Sequence, residues 1–213
     1  MADHVEYLEP AVPVNYGMLG MDGANSAMRP VTRQVAFDGA WDDERRRKVG
    51  DLFDSMAPEW HTRVSVADRH IPLFDALDRG NVPKGGLVLE LGSGIGDSTP
   101  HLEERVGPTV AVDLAMEMLA RAGDGSPRVK ADAGRLPVGD GVASVVVLVN
   151  ALLFPAEMDR VLSPDGVIVW VNTSGEHTPI HLPAHDVVAA LPGDWTAIAS
   201  RADRGTWCVA RRS

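Results

Sequence analysis

Three acidic residues and one glycine run carry most of the chemistry in this sequence. Glu90-Leu91-Gly92-Ser93-Gly94-Ile95-Gly96-Asp97 follows a short apolar stretch and leads into a helical one. Glycines there let the backbone turn sharply and approach a ligand where a Cβ would clash. The first N–H groups of the following helix lack intrahelical partners and suit a carboxylate or another anion. The spacing is Gly-x-Gly-x-Gly, not the Gly-x-Gly-x-x-Gly that accommodates a pyrophosphate. Glu90 would repel a pyrophosphate and attract a cationic group. Asp113 closes the next apolar stretch, and an acid there accepts both hydrogen bonds of a ribose diol. Leu114 and Met118 follow, spaced to bracket a flat ring. In Ala131-Asp132-Ala133-Gly134-Arg135-Leu136-Pro137, Asp132 is placed to accept from the exocyclic amine of an adenine while the Ala133 N–H donates to a ring nitrogen. One such Asp is an ordinary turn residue. Three acids, each at or beside the end of a successive strand, point to one shared ligand.

A proton acceptor, if the reaction needs one, is sought among His61, His177 and His181. Each is more simply a packed or surface residue. His177, His181 and His185 fall at i, i+4, i+8, but Pro179 and Pro183 break the helix that would present them together, so no metal is expected. The single cysteine, Cys208, lies in an apolar strand and reads as a small buried hydrophobe.

These residues need a frame. Residues 1–41 show no sustained periodicity, yet they are too apolar for a plain tail and read as an extension or a lid. From Asp42 a helix is predicted, with Val49, Leu52, Phe53 and Met56 on one face and Pro58 at its end. A second short helix begins near Pro72 and stops at Gly80. Beyond this cap (42–80) the rhythm becomes alternating strand and helix through a core of 84–213. Strands are predicted at 87–91, 109–112, 128–131, 144–149 and 167–171. A hairpin then pairs 195–200 with 206–210 across Asp203-Arg204-Gly205. That alternation implies an α/β fold, a parallel sheet covered on both faces, with one antiparallel strand added by the hairpin. Ligands of such sheets bind beyond the carboxyl ends of the strands, where the acids and the glycine run fall.

The ordered set Glu90-x-Gly92-x-Gly94-x-Gly96, Ala111-Val112-Asp113-Leu114-x-x-x-Met118-Leu119, Ala131-Asp132-Ala133-x-x-Leu136-Pro137 and Arg160-Val161-Leu162-Ser163-Pro164-Asp165-Gly166 resembles successive motifs of class I S-adenosylmethionine-dependent methyltransferases, closest in flavour to the type-11 group that includes ubiquinone/menaquinone-biosynthesis enzymes. The resemblance covers roughly residues 45 to 210. It implies a Rossmann-like seven-stranded sheet of order 3-2-1-4-5-7-6 with strand 7 antiparallel. It implies S-adenosyl-L-methionine as cofactor. Gly92 and Gly94, with Ser93 and Gly96 in the same turn, would approach its methionine part. Asp113 would meet the ribose, Asp132 with Ala133 the adenine, and Asn150 the methionyl group. Trp60 stands where an aromatic helps cover the cofactor. The segment 152–162 is shorter than in typical members, and that segment usually helps form the acceptor pocket.

Net charge is -10 with no basic block, which argues against nucleic acid as a partner. No stretch approaches the roughly 20 apolar residues that span a bilayer, and Met1-Ala2-Asp3-His4 shows no signal peptide. The expectation is a cytoplasmic, bacterial methyltransferase, a monomer or homodimer, that acts on a small-molecule methyl acceptor. Two alternatives are a catalytically silent S-adenosylmethionine-sensing module and a nicotinamide-dependent oxidoreductase. Glu90, the loop spacing and Asp132 argue against the latter.

Overall fold

A computed structural model describes residues 4–16, 23–60, 69–123 and 125–213. Strands β1 (Val5–Tyr7), β2 (Val88–Leu91), β3 (Thr109–Asp113), β4 (Arg128–Lys130), β5 (Ala143–Val149), β6 (Leu162–Asn172), β7 (Trp195–Ala202) and β8 (Gly205–Arg212) form one sheet of order β1-β7-β8-β6-β5-β2-β3-β4. Read from β2 onward, this is the expected order. β8 is antiparallel to both β6 and β7, and the other pairings are parallel.

The strand count corrects the expectation of seven. An eighth strand comes from the N-terminal extension, where Val5 pairs with Ala197 and Tyr7 with Ala199. Three residues are too few to show a period of two, so the sequence could not announce it. The extension also holds helix α1 (Met28–Asp38), stopped by Gly39 at φ 61°. Its polar content hides a short inward face of Thr32, Val35 and Ala36.

The remaining α-helices among the described residues are α2 (Asp43–Met56), α3 (Ile71–Arg79), α4 (Thr99–Arg105), α5 (Met116–Leu119), α6 (Pro155–Val161) and α7 (Ala184–Ala190). Asp42 caps α2, its side chain accepting from Arg45 N–H at 2.7 Å. α5 is one turn long and its cap residue, Ala115, offers no side-chain hydrogen bond. The strand predicted at 167–171 begins earlier, at Leu162, so Pro164-Asp165-Gly166 lies inside β6. The register jumps from Ala143–Leu162 to Val145–Val167, leaving residues 163–166 as a bulge.

Alternate residues of the central strands go to opposite faces. Leu89, Leu91, Val146, Leu148, Ile168 and Trp170 build one core with α6 and α7. Val88, Val145, Val147, Val167 and Val169 build the other, with Leu73 and Leu77 of α3 and Leu102 of α4. The central strands are thus buried on both sides and hold the loops at their carboxyl ends to a rigid frame.

Candidate active site

The glycine turn leaves β2 in three left-handed steps, Gly92, Gly94 and Gly96 at φ 67°, 58° and 77°. That region strains any residue with a Cβ. At Gly92 a Cβ would also stand 2.8 Å from that of Ala151, whereas at Gly94 nothing lies within 4 Å. The turn is therefore packed on one side and open at its crest. Ser93 Oγ is buried there without a hydrogen-bond partner.

Asp113, at the end of β3, ties the neighbouring strand to this turn. One carboxylate oxygen accepts from Gly94 N–H at 2.7 Å, the other from Ala115 N–H at 2.8 Å. Burial pushes its carboxyl up from the ordinary value, and these backbone donors pull it back. Glu90 is 3 % exposed and accepts from the Thr99 hydroxyl at 2.5 Å, at the first turn of α4. Burial pushes its carboxyl up to about 7, with the nearby Asp97 and Asp113 adding to the rise and Thr99 and Arg69 opposing it.

Arg69 and Asp97 were not singled out in the sequence. They form an ion pair at 3.0 Å beside Glu90. Burial pulls the Arg69 guanidinium down, against the attraction of Asp97 and Glu90. Asp97 stands next to Gly96 and could have been noticed. Arg69 comes from a different part of the chain and had no local signal.

Asp132 is placed one strand further out and is already engaged. Trp41 Nε1 donates to both its oxygens at 3.0 Å, Gly134 N–H donates at 2.8 Å, and Arg46 stands 3.8 Å away. Trp41 also meets the Phe154 ring edge-on at 5.2 Å. Ala133 continues the same turn, which Glu157 of α6 pins by accepting from Leu136 N–H at 2.6 Å. Trp41, too, was missed: the contact spans 91 residues, and no spacing rule reaches that far.

Met118 faces inward, 1 % exposed, in a small cluster with Ala57, Ile95 and Ala115 that Phe53, Met56 and Trp60 partly cover. Trp60 meets the Phe53 ring edge-on at 6.0 Å and packs against this cluster, which includes Ile95 of the glycine turn. Leu114 lies against Gly50 of α2. Asn150, at φ 54°, bridges the ends of β5 and β6: its Nδ2 donates to Thr173 Oγ1 at 2.8 Å and its Oδ1 accepts from Thr173 N–H at 2.9 Å.

The histidines separate. His61 lies outside the described residues. His181 is 6 % exposed, and its Nδ1 stands 3.2 Å from Arg29 Nη1. A guanidinium only donates, so that nitrogen accepts and its lone pair is taken. Burial, reinforced by Arg29, holds the imidazole down at about 4, and it is neutral at ordinary pH. His177 follows β6, its Nδ1 buried without a partner. His185 is two-thirds exposed and meets only Asp186 among the described ion pairs. Among the described residues no group of three or more His, Cys, Asp or Glu could hold a metal ion, and no helix is long and apolar enough to cross a membrane.

Known proteins share this sequence pattern and fold. Residues 89–170 match a family described as "Methyltransferase domain". The chain is 28 % identical to the ubiquinone/menaquinone biosynthesis C-methyltransferase of Hahella chejuensis, over 70 % of each chain. It is likewise 28 % identical to the protein of that name from Burkholderia mallei, over 75 % of this chain and 73 % of that one. Among solved structures, the DhpI complex with S-adenosylhomocysteine superposes with a TM-score of 0.62 at 22 % identity, covering 79 % of this chain and 97 % of that one. The [4+2]-cyclase SpnF superposes with a TM-score of 0.56 at 18 % identity, covering 71 % and 75 %. These two structures speak to the fold alone. Taken with the ordered motifs and the sheet that carries them, the methyltransferase-domain match and these relatives support a class I S-adenosylmethionine-dependent methyltransferase.

Proposed function

We propose that the chain moves the methyl group of S-adenosylmethionine to a small-molecule acceptor by in-line displacement at the carboxyl edge of the sheet. One observation carries the site assignment: the 2.7 Å bond from Gly94 N–H to Asp113, which fuses the glycine turn and the β3 acid into a single site. The open crest at Gly94 and the unpartnered Ser93 hydroxyl fit a ligand that presses against backbone.

The bound cofactor supplies a methyl group made electrophilic by a sulfonium. The chain supplies position. Gly92, Ser93, Gly94 and Gly96 receive the amino-acid end, and Glu90 with the Arg69–Asp97 pair sets the charge around it. Asp113 accepts from the ribose hydroxyls. Asp132 and Ala133 take the adenine edge, where the amine would share or replace the Trp41 N–H on Asp132. Leu114 supports the ring from the α2 side, Met118, expected to bracket the ring as well, instead backs the site from inside the protein, Trp60 covers the turn, and Asn150 holds the floor beside Thr173. Holding reactants aligned and dry contributes effective molarities of about 10⁵ M or more, and a base is needed only where the acceptor atom carries a proton that it must lose and is not acidic enough to lose unaided. If one is used, His177 is better disposed than His181, whose Nδ1 is occupied by Arg29.

The test is calorimetry of the full chain with S-adenosylmethionine and with S-adenosylhomocysteine. Micromolar to submillimolar binding is expected. No heat at millimolar ligand ends the proposal. A silent sensor would bind both, yet methylate nothing in a broad acceptor screen.

A further inference from the structure

The carboxyl edge continues past Asn150 into a cleft of different character. It is open to solvent, is small at about 40 Å³, and is lined by Tyr16, Ser174, Glu176, His177, Arg201 and Arg204. β8 is antiparallel to β6 and to β7, so β7 ends on the same edge as β6. The β7–β8 turn, which carries Arg204, therefore stands on the side where Asn150 grips Thr173. Ser174 follows Thr173 directly and is part of the cleft wall.

The wall of the cleft is held firmly. Asn172 Nδ2 donates to Ile180 O at 2.7 Å, and Trp170 Nε1 donates to Leu182 O at 3.2 Å. Arg29 Nη2 donates to Glu176 O at 2.5 Å and Thr178 O at 2.9 Å. The loop from 174 to 182 is thus tied to β6 below and to α1 above.

Both guanidiniums have an ion pair, and both pairs leave the same atom over. Arg201 Nη1 donates to Glu176 at 2.9 Å, and Arg204 Nη1 donates to Asp203 at 3.2 Å. The Nε atoms of Arg201 and Arg204 are buried with no hydrogen-bond partner, and so is His177 Nδ1. A buried N–H without an acceptor is costly. A guanidinium has no acceptor of its own, so the group that completes Arg201 and Arg204 must bring acceptor oxygens. An oxyanion does so with charge-assisted bonds, the strongest of the available kinds.

We infer that this cleft binds an oxyanionic group, a carboxylate or a phosphate, carried by the methyl acceptor. The inference rests on the methyltransferase reading for the word acceptor and on the cleft for the word oxyanion. Neighbouring strands lie about 4.8 Å apart. Arg204, between β7 and β8, is two to three strands from β5, so the anion would sit roughly 10–15 Å from the floor at Asn150. The acceptor is then an elongated molecule with its charge at the end remote from the methylated atom.

The experiment follows the arginine Nε–Hε resonances of the ¹⁵N-labelled full chain at constant ionic strength. Sodium acetate is titrated in one arm and sodium phosphate in the other, and S-adenosylhomocysteine binding is measured calorimetrically on the same sample. Saturable shifts at Arg201 and Arg204 are expected in at least one arm, and the arm that saturates names the anion. Arg204→Gln should weaken that binding at least about tenfold, while S-adenosylhomocysteine affinity changes less than about twofold. Arg204→Lys keeps the charge but lacks the Nε–H, and should also weaken it. Shifts that grow without saturation, or that appear equally at exposed Arg33 and Arg121, overturn the inference. So does unchanged anion binding in Arg204→Lys. If S-adenosylhomocysteine binds and neither anion does, the inference falls while the methyltransferase reading stands. If an anion saturates but S-adenosylhomocysteine does not bind, the reverse holds, and the anion no longer belongs to a methyl acceptor.

Discussion

The two halves of the carboxyl edge offer opposite hydrogen-bonding groups, acceptors in one and spare donors in the other. At β2, β3 and β4 the strand ends present carboxylates, Glu90, Asp113 and Asp132, which accept from backbone and side-chain donors. At the β7–β8 turn stand two guanidiniums, Arg201 and Arg204, each paired with a carboxylate yet with a spare Nε–H. A nucleoside bearing a sulfonium and an ammonium suits the first half, and an oxyanion suits the second. Asn150 and Thr173 stand at the seam, where two such ligands would meet. That change from acceptors to spare donors would sort the two proposed ligands between the halves before any shape is considered.

The largest effect should come from removing the carboxylate that holds the first half together. In Asp113→Asn one oxygen becomes a donor facing a backbone N–H, and one ribose acceptor is lost. Hydrogen bonds to charged groups contribute about 1.5–3 kcal/mol each, so S-adenosylhomocysteine should bind roughly 100-fold more weakly. Calorimetry reads this directly. Gly92→Ala should match it, because the Cβ would meet Ala151 at 2.8 Å in a left-handed backbone. Affinity within about threefold of wild type in both variants would detach the ribose and methionine ends from this turn.

A smaller effect concerns Glu90. Its carboxyl is pushed by burial to about 7, above the ordinary value. The folded chain therefore holds a proton there that the unfolded chain has lost. The associated stability is fully present below the unfolded value near 4.5 and is lost as pH rises through about 7. Cation binding runs the other way, since it needs the carboxylate. S-adenosylmethionine affinity should rise about tenfold between pH 5.5 and 7.5, below the range near 8 in which an α-amino group discharges. S-adenosylhomocysteine, without the sulfonium, should show a shallower slope, and Glu90→Gln should flatten both. A slope unchanged in Glu90→Gln would assign the titration to Asp113 or to the ligand.

Legibility differed between the halves for a physical reason. Glu90, the glycines and Asp113 lie within 24 positions of one another, and the constraints on them are local: a left-handed turn, a strand end, a helix start. Such constraints leave a readable spacing. The eight-stranded sheet was readable except for β1, which is three residues long and borrows its place from β7. The arginine cleft joins residues 16, 174–177 and 201–204 through tertiary packing. In the sequence Arg204 reads only as part of the hairpin turn, Arg201 is not singled out, and His177 is one of three candidate bases. Trp41 and Arg69 were silent for the same reason. Sequence patterns record what the backbone requires of its neighbours along the chain, and pockets assembled across the fold leave no such record.

Trp41 offers the subtlest test of the first half. Its indole N–H donates to both oxygens of Asp132 at 3.0 Å, the carboxylate proposed to accept the adenine amine. Two donors then compete for one acceptor, with Gly134 N–H already a third. Trp41→Phe removes the N–H while keeping an aromatic ring against Phe154. If the indole stands in for the amine, S-adenosylhomocysteine should bind a few-fold tighter, about the net value of one hydrogen bond. The gain should vanish in an analogue whose purine lacks the amine, because Asp132 then has nothing to recover. Weaker binding of both ligands would make Trp41 a wall of the adenine pocket instead, with its N–H serving to aim Asp132 at the ring.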